Sequence, residues 1–131
     1  MSRENVEIVR RMHRVVGTEA ALDCFDPEVV LIPTPSGPDA AAPYVGYDGL
    51  VAWVGDFREA LGDFETYALE ITDLGDSRVL AISVVHGEGR ASGIPFDFQS
   101  ATVYTVRDGR IVRVEAYDTK VEALEAVGLS E

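Results

Sequence analysis

The stretch Tyr104–Thr119, YTVRDGRIVRVEAYDT, decides the fold. Asp108-Gly109 is a favoured pair for a two-residue turn between right-twisted strands, so the segment reads as a β-hairpin. Folding at that turn sets Val106 against Ile111, Thr105 against Val112, Val103 against Val114, Ala101 against Ala116 and Gln99 against Asp118. In this register Thr105, Val103, Ala101, Val112, Val114 and Ala116 share one nearly apolar face, which ends in an amide opposite a carboxylate. The other face carries Phe98, Tyr104, Val106, Ile111 and Tyr117 among Arg113 and Glu115. That is too much apolar surface to leave in water, and it implies dimerisation through the sheet.

Upstream of the hairpin the pattern stays that of strands. Tyr67, Leu69 and Ile71 alternate with Thr66, Glu70 and Thr72 in FETYALEITDL, and RVLAISVVH is a continuous apolar run covered on both faces, or on one face plus a partner subunit. The glycine-rich GEGRASG (Gly87–Gly93) lies between two strands with no helix after it, so it reads as a hairpin connection and not a phosphate loop. Helices precede the strands. Ser2 is placed to cap a helix whose Val6, Val9, His13 and Val16 share one face, with Met12 beside them and Gly17 as its stop. Thr18 caps a shorter helix, Glu19 to Phe25, ended by Asp26-Pro27. EVVLIPTP reads as a strand and PTPSGPDAAAP as a loop. A third helix, from Asp48 to about Leu61, carries Leu50, Trp53, Val54, Phe57 and Leu61 at core spacing. A last short helix, capped by Asp118 or Thr119, runs through Val121, Leu124 and Val127. Helices followed by an antiparallel meander make an α+β plan: a cone-shaped barrel with the N-terminal helices packed in the concave face of a curved sheet. Its hollow is a natural pocket for a small molecule.

Bulk properties narrow the partners. The 131 residues are the length of one domain, 1–131, and 47% are hydrophobic, enough for a globular core. With 11 basic and 23 acidic residues the net charge is −12, which repels phosphate backbones and anionic headgroups, so neither nucleic acid nor membrane is an expected partner. Cys24 is the single cysteine, so it forms no internal disulfide and reads as a small core group. Arginines and glutamates interrupt residues 3–14, so no secretory or membrane-spanning segment opens the sequence, and a cytoplasmic location is expected. His13 and His86 lie far apart with one cysteine between them, which is no ligand spacing for zinc or iron.

Several segments together resemble SnoaL-like proteins of the nuclear transport factor 2-like superfamily: SRENVEIVRRMHRVV, DPEV, YVGYDGLVAWV, ITDLGDSRVL, Ser92-Gly93, VRDGRIVRVEAY and EALEAVGL. The resemblance covers essentially the whole chain. It implies the conical α+β barrel, a pocket between helices and sheet, and a homodimer through the sheet. It leaves function open, since the superfamily holds ketosteroid isomerases, polyketide cyclases, dehydratases and non-catalytic binding domains. The isomerase aspartate precedes a proline after the first strand, where this chain has Ile32 before Pro33. The cyclase aspartate lies on the last strand, where this chain has Ala116. The nearest carboxylate is Asp118.

The candidate catalytic residues are therefore Asp118 and His13. In an apolar cone Asp118 is a general base, with Gln99 donating an amide N–H to it; alternatively it caps the last helix. His13, on a buried stripe, donates to a ligand carbonyl or shuttles protons, or else is a core histidine bonded to backbone. Ser83, Ser92 and Ser100 show no histidine–acid arrangement for nucleophilic catalysis. Trp53, Tyr67 and Tyr44, with Val103, Val114 and Ala116, are the expected pocket lining. Two functions stay open. One is a small-molecule-binding protein, or a cofactor-free isomerase, cyclase or dehydratase, taking a hydrophobic molecule with a carbonyl or hydroxyl. The other is a non-catalytic dimeric interaction module whose pocket is filled by side chains.

Overall fold

A computed structural model describes residues 2–15, 19–33, 43–62, 64–89 and 92–129. Val16, Gly17, Thr18, the side chain of Leu61 and most of the loop after Pro33 lie outside the described residues. The elements follow the order α1 (Ser2–Val15), a 3-10 turn (Glu19–Cys24), β1 (Phe25–Ile32), β2 (Tyr44–Val45), α2 (Gly46–Leu61), β3 (Phe64–Gly75), β4 (Arg78–Glu88), β5 (Pro95–Arg107), β6 (Arg110–Tyr117) and α3 (Lys120–Ala126). The six strands form one curved, unclosed sheet in the order β2-β1-β6-β5-β4-β3. This is the expected α+β cone. The pairs β3–β4, β4–β5 and β5–β6 are antiparallel, whereas β1 runs parallel to β6 and makes the sheet mixed.

Strand alternation divides the sheet into two faces. The inner face carries Val79, Ala81, Tyr104, Val106, Ile111 and Val114, which form one buried cluster with Val9 and Met12 of α1, Leu50 of α2 and Val29 and Leu31 of β1. The outer face carries Leu80, Ile82, Ala101 and Val103, covered by Ala123 and Leu124 of α3. Cys24 joins the inner cluster, and its burial pushes the thiol pKa up, so it is a packing residue as expected. Thr119, rather than Asp118, caps α3: its side chain accepts from the Glu122 N–H at 3.1 Å.

Irregularities in strand pairing separate the observed register from simple alternation, and three of them bear on the expected faces and ends. The Asp108-Gly109 turn is as expected, with φ of 51° and 79° at its two central residues, the left-handed values that this pair tolerates. Val106 does oppose Ile111, but the next pair is Thr105–Arg113, so Val112 is an extra residue in the ladder. From there Tyr104 opposes Val114, Val103 opposes Glu115 and Ala101 opposes Tyr117, which overturns the register read from the sequence. A slip of one residue exchanges faces along β6, so Val114 and Ala116 sit with Tyr104 and Thr102. The face of Tyr104, Val106 and Ile111, expected to meet a second copy, is instead the core under α1, and Val103 and Ala101, expected to line the pocket, sit outside under α3. In β3 a shift between Ala68 and Glu70 leaves Ile71 on the core, while Tyr67 and Leu69 are 50% and 54% exposed. The expected single face for Tyr67, Leu69 and Ile71 is thereby broken. Third, Asp26-Pro27 does not end a helix; it lies inside β1, where the pairing to β6 shifts between Phe25 and Val30. Proline cannot donate to a ladder, and the Asp26 carboxylate accepts from the Glu28 N–H at 2.8 Å instead.

Packing at the hairpin sets a test. Ile111 is fully buried under α1, so Ile111→Ala is expected to cost about 2–4 kcal/mol in urea denaturation, whereas Val121→Ala on the exposed side of α3 stays within about 0.5 kcal/mol.

Candidate functional site

The inner face is closed over its middle and opens beyond Ser83. Its middle is occupied by α1, whose buried stripe of Val9 and Met12 ends at His13. The imidazole is half-buried and has three defined neighbours. Its Nδ1 lies 2.9 Å from the Val9 carbonyl oxygen one turn back, its Nε2 lies 3.2 Å from Ser83 Oγ on β4, and its ring meets Tyr104 of β5 edge to face at 5.9 Å.

These contacts fix the protonation pattern. A carbonyl oxygen only accepts, so Nδ1 carries the hydrogen and donates to Val9. Burial lowers the His13 pKa from its ordinary value, an effect that the Val9 bond only partly offsets, so the ring is neutral near pH 7. Nε2 then holds a lone pair, and the Ser83 hydroxyl, 5% exposed, donates to it. A serine joined to a neutral histidine is thus present after all, although the histidine is oriented by a backbone carbonyl and not by an acid. Tyr104 is buried with its hydroxyl bonded to Thr102, and burial drives its pKa upward, so it is a neutral packing partner.

Beyond Ser83 the same face continues through Val85 on β4 and Ser100, Phe98 and Phe96 on β5, because Ser83 opposes Ser100, Val85 opposes Phe98 and Gly87 opposes Phe96. Phe98 is 41% exposed although it points to the α1 side of the sheet, and Phe96 stacks beside it at 6.1 Å. A second run of rings comes from α2 and its flanks: Tyr44–Trp53 at 6.4 Å, Trp53–Phe57 at 6.2 Å and Phe57–Phe64 at 5.5 Å. Trp53 and Tyr44 also pack on the inner cluster, and the Tyr44 hydroxyl donates to Asp56 at 2.6 Å.

The other candidate residues are dispersed. Asp118 is exposed in the bend after β6, and pairing of β5 with β6 ends at Ala101–Tyr117, short of the expected Gln99–Asp118 partnership. Gln99 opposes Val84 on the outer face and is exposed. Val103 is buried beneath α3 on that same outer face, away from His13. Val114 and Ala116 do lie on the inner face, buried among core side chains. Tyr67 has its ring 5.8 Å from the His86 imidazole, which in turn lies 3.7 Å from Glu65, and it also borders, with His13, a cleft between α1 and β3. Ser83, Phe96 and Phe98 are the residues that the sequence reading missed. Ser83 is the lone hydroxyl in an otherwise apolar run, which was a usable signal, whereas the place of Phe98 depended on which side of the sheet α1 covers.

Two clefts flank this region. One of about 350 Å³ lies between α1 and β3, bordered by Arg10, His13, Arg14, Thr66, Leu69 and Ile71. A wider one of about 890 Å³ lies between the end of α2 and the β4–β5 hairpin, bordered by Arg58, Phe64, Glu65, His86 and Glu88. Among the described residues no three His, Cys, Asp or Glu side chains gather as metal ligands, and no helix is long and apolar enough to cross a membrane.

Residues 9–114 match the SnoaL-like domain, and the chain belongs to that family. No curated protein sequence matches it. Among solved structures it is similar to Bal32a from a soil-derived mobile gene cassette, at 21% identity over 88% of each chain with a TM-score of 0.74. It is also similar to TerC co-crystallised with polyporic acid, at 18% identity over 93% of this chain and 96% of that one, TM-score 0.76. A third is a protein of ketosteroid isomerase-like fold from Catenulispora acidiphila in complex with trimethylamine, at 17% identity over 98% and 95%, TM-score 0.69. At such identities the likeness establishes the fold.

The His13 geometry predicts a pH signature. The folded chain binds a proton at His13 less readily than the unfolded chain does, so stability is full above pH 6.5, the ordinary histidine value, and falls as pH drops through the lower folded value. Urea titrations between pH 7.5 and 5 are expected to show a loss in the parent that His13→Gln reduces. Ser83→Ala, which leaves Nε2 without its donor, is expected to cost about 1–2 kcal/mol at pH 7.

Proposed function

We propose that this SnoaL-like chain binds a small, mostly hydrophobic molecule on the open part of its inner face. The ligand has a planar, ring-bearing body and a single carbonyl or hydroxyl. The observation that carries this reading is the conjunction, on one face, of a part-buried polar pair, His13–Ser83 at 3.2 Å, and an aromatic pair of which Phe98 is exposed and Phe96 half-buried. Ligand sites combine a largely apolar wall with few polar groups in this way, and stacking on Phe98 would bury surface that otherwise faces water.

Turnover, where it occurs, is cofactor-free acid–base chemistry. His13 is its proton acceptor, since its Nε2 lone pair becomes available when the Ser83 hydroxyl rotates away, and its lowered pKa keeps it unprotonated at neutral pH. Asp118 is exposed beyond the strand end, so the role of base rests better on His13. The structurally similar TerC was co-crystallised with a small organic molecule, polyporic acid, which supports a small-molecule reading. A second reading, a non-catalytic module with a filled interior, draws on the close burial of Val114 and Ala116. A homodimer through the outer face of the sheet fits the half-exposed Tyr67.

A thermal-shift screen of aromatic ketones and phenols tests the first reading. Stabilising compounds are expected whose effect is lost in Phe98→Ala and weakened at least tenfold in Ser83→Val, with Asp118→Asn unchanged. Compounds that act equally on all four proteins would favour the filled module. Sedimentation of the parent against Tyr67→Arg is expected to show a dimer converted to monomer.

A further inference from the structure

We infer that the cleft between α1 and β3 is a second, separate site, one that takes a small carboxylate with an apolar body. Three observations converge there. The positions i, i+3 and i+4 put Arg10, His13 and Arg14 on one face of α1, and all three border the cleft of about 350 Å³. That volume lies within the range, roughly 300–1,000 Å³, of small-molecule sites.

The charges around it are settled except for one. Arg10 is held by Glu7 on its own helix, and Glu70, the acid of the cleft, is met by Lys120 at 3.0 Å. Arg14 forms no ion pair or side-chain hydrogen bond with any described residue. Among the described residues it is therefore an uncompensated guanidinium, at a concave place on a chain of net charge −12. Its planar fork matches a carboxylate in two parallel hydrogen bonds. A phosphate dianion would need more positive charge than one free arginine beside Glu70 supplies.

The strand side of the cleft supplies the apolar contact. The shift between Ala68 and Glu70 turns Leu69 outward, 54% exposed, next to the better covered Ile71. An aryl or branched alkyl group laid along Leu69 and Ile71 would remove that surface from water while its carboxylate reaches Arg14. This site does not depend on the inner-face site, because the polar group offered is Arg14 and not the Ser83-bonded nitrogen of His13.

Isothermal titration with 2-naphthoate and with its uncharged counterpart 2-naphthalenemethanol tests the inference. The parent is expected to bind naphthoate at least tenfold more tightly than the alcohol. Arg14→Gln is expected to abolish that preference, while Arg11→Gln, exposed on the same helix but away from the cleft, retains it within twofold. In the Phe98→Ala background, which removes the inner-face wall, the preference for naphthoate over the alcohol is expected to persist and to depend still on Arg14, so the two sites fail separately. Equal affinity for both probes, no binding of naphthoate by the parent, equal losses in Arg14→Gln and Arg11→Gln, or loss of the preference in Phe98→Ala would overturn it.

Discussion

The hydrogen bond between Ser83 and His13 ties the first helix to the middle of the sheet, and the division of the inner face depends on it. Above it, Val9 and Met12 close the helix over Val79, Ala81 and Tyr104 into a packed core. Below it, the side chains that continue the same strands, Ser100 and Phe98, have no helix pressed on them to the same degree. A polar pair at this boundary is expensive to leave unmade, because either group alone would be desolvated without a partner. Together they satisfy each other, and no described buried side-chain nitrogen or oxygen lacks a hydrogen bond. The pair therefore holds the helix in register and keeps a chemically useful nitrogen at the edge of the open region.

The order of elements and the nature of each were legible in the sequence because they rest on strong local signals. Asp108-Gly109 marks its own turn, the period of Val6, Val9 and His13 marks its own helix, and the apolar run at Val79–Val85 marks a buried strand. The register was not legible. Extra residues at Val112 and near Leu69 leave no compositional trace, since a bulge is fixed by the competition of packing on two faces at once. Each exchanges the faces of everything beyond it. For that reason Val114 and Ala116 joined the face of Tyr104 and the Gln99–Asp118 partnership did not form, whereas Val103 and Phe98 keep the unbroken alternation of β5 and owe their places to the side of the sheet on which α1 packs.

The candidate site was legible in half. A histidine on an apolar helical stripe needs a partner, so His13 was identifiable, and its Val9 bond was among the alternatives weighed. Its second partner could be found only in three dimensions, because Ser83 lies 70 residues further along the chain. The carboxylate that drew attention first, Asp118, owes its position to the helix start that Thr119 caps. Membership in the SnoaL-like family and the likeness to solved structures agree with the cone, and they leave the chemistry to be argued from these side chains.

The account stands on His13 being neutral, with its hydrogen on Nδ1 and its Nε2 accepting from Ser83. Long-range proton–nitrogen correlation spectra of histidine-labelled protein at pH 7 read this state directly. The expected pattern has a pyridine-like Nε2 and a pyrrole-like Nδ1 that persist below the ordinary histidine value of 6.5, with Nε2 altered in Ser83→Ala. A doubly protonated ring at pH 7, or a hydrogen on Nε2, would contradict it.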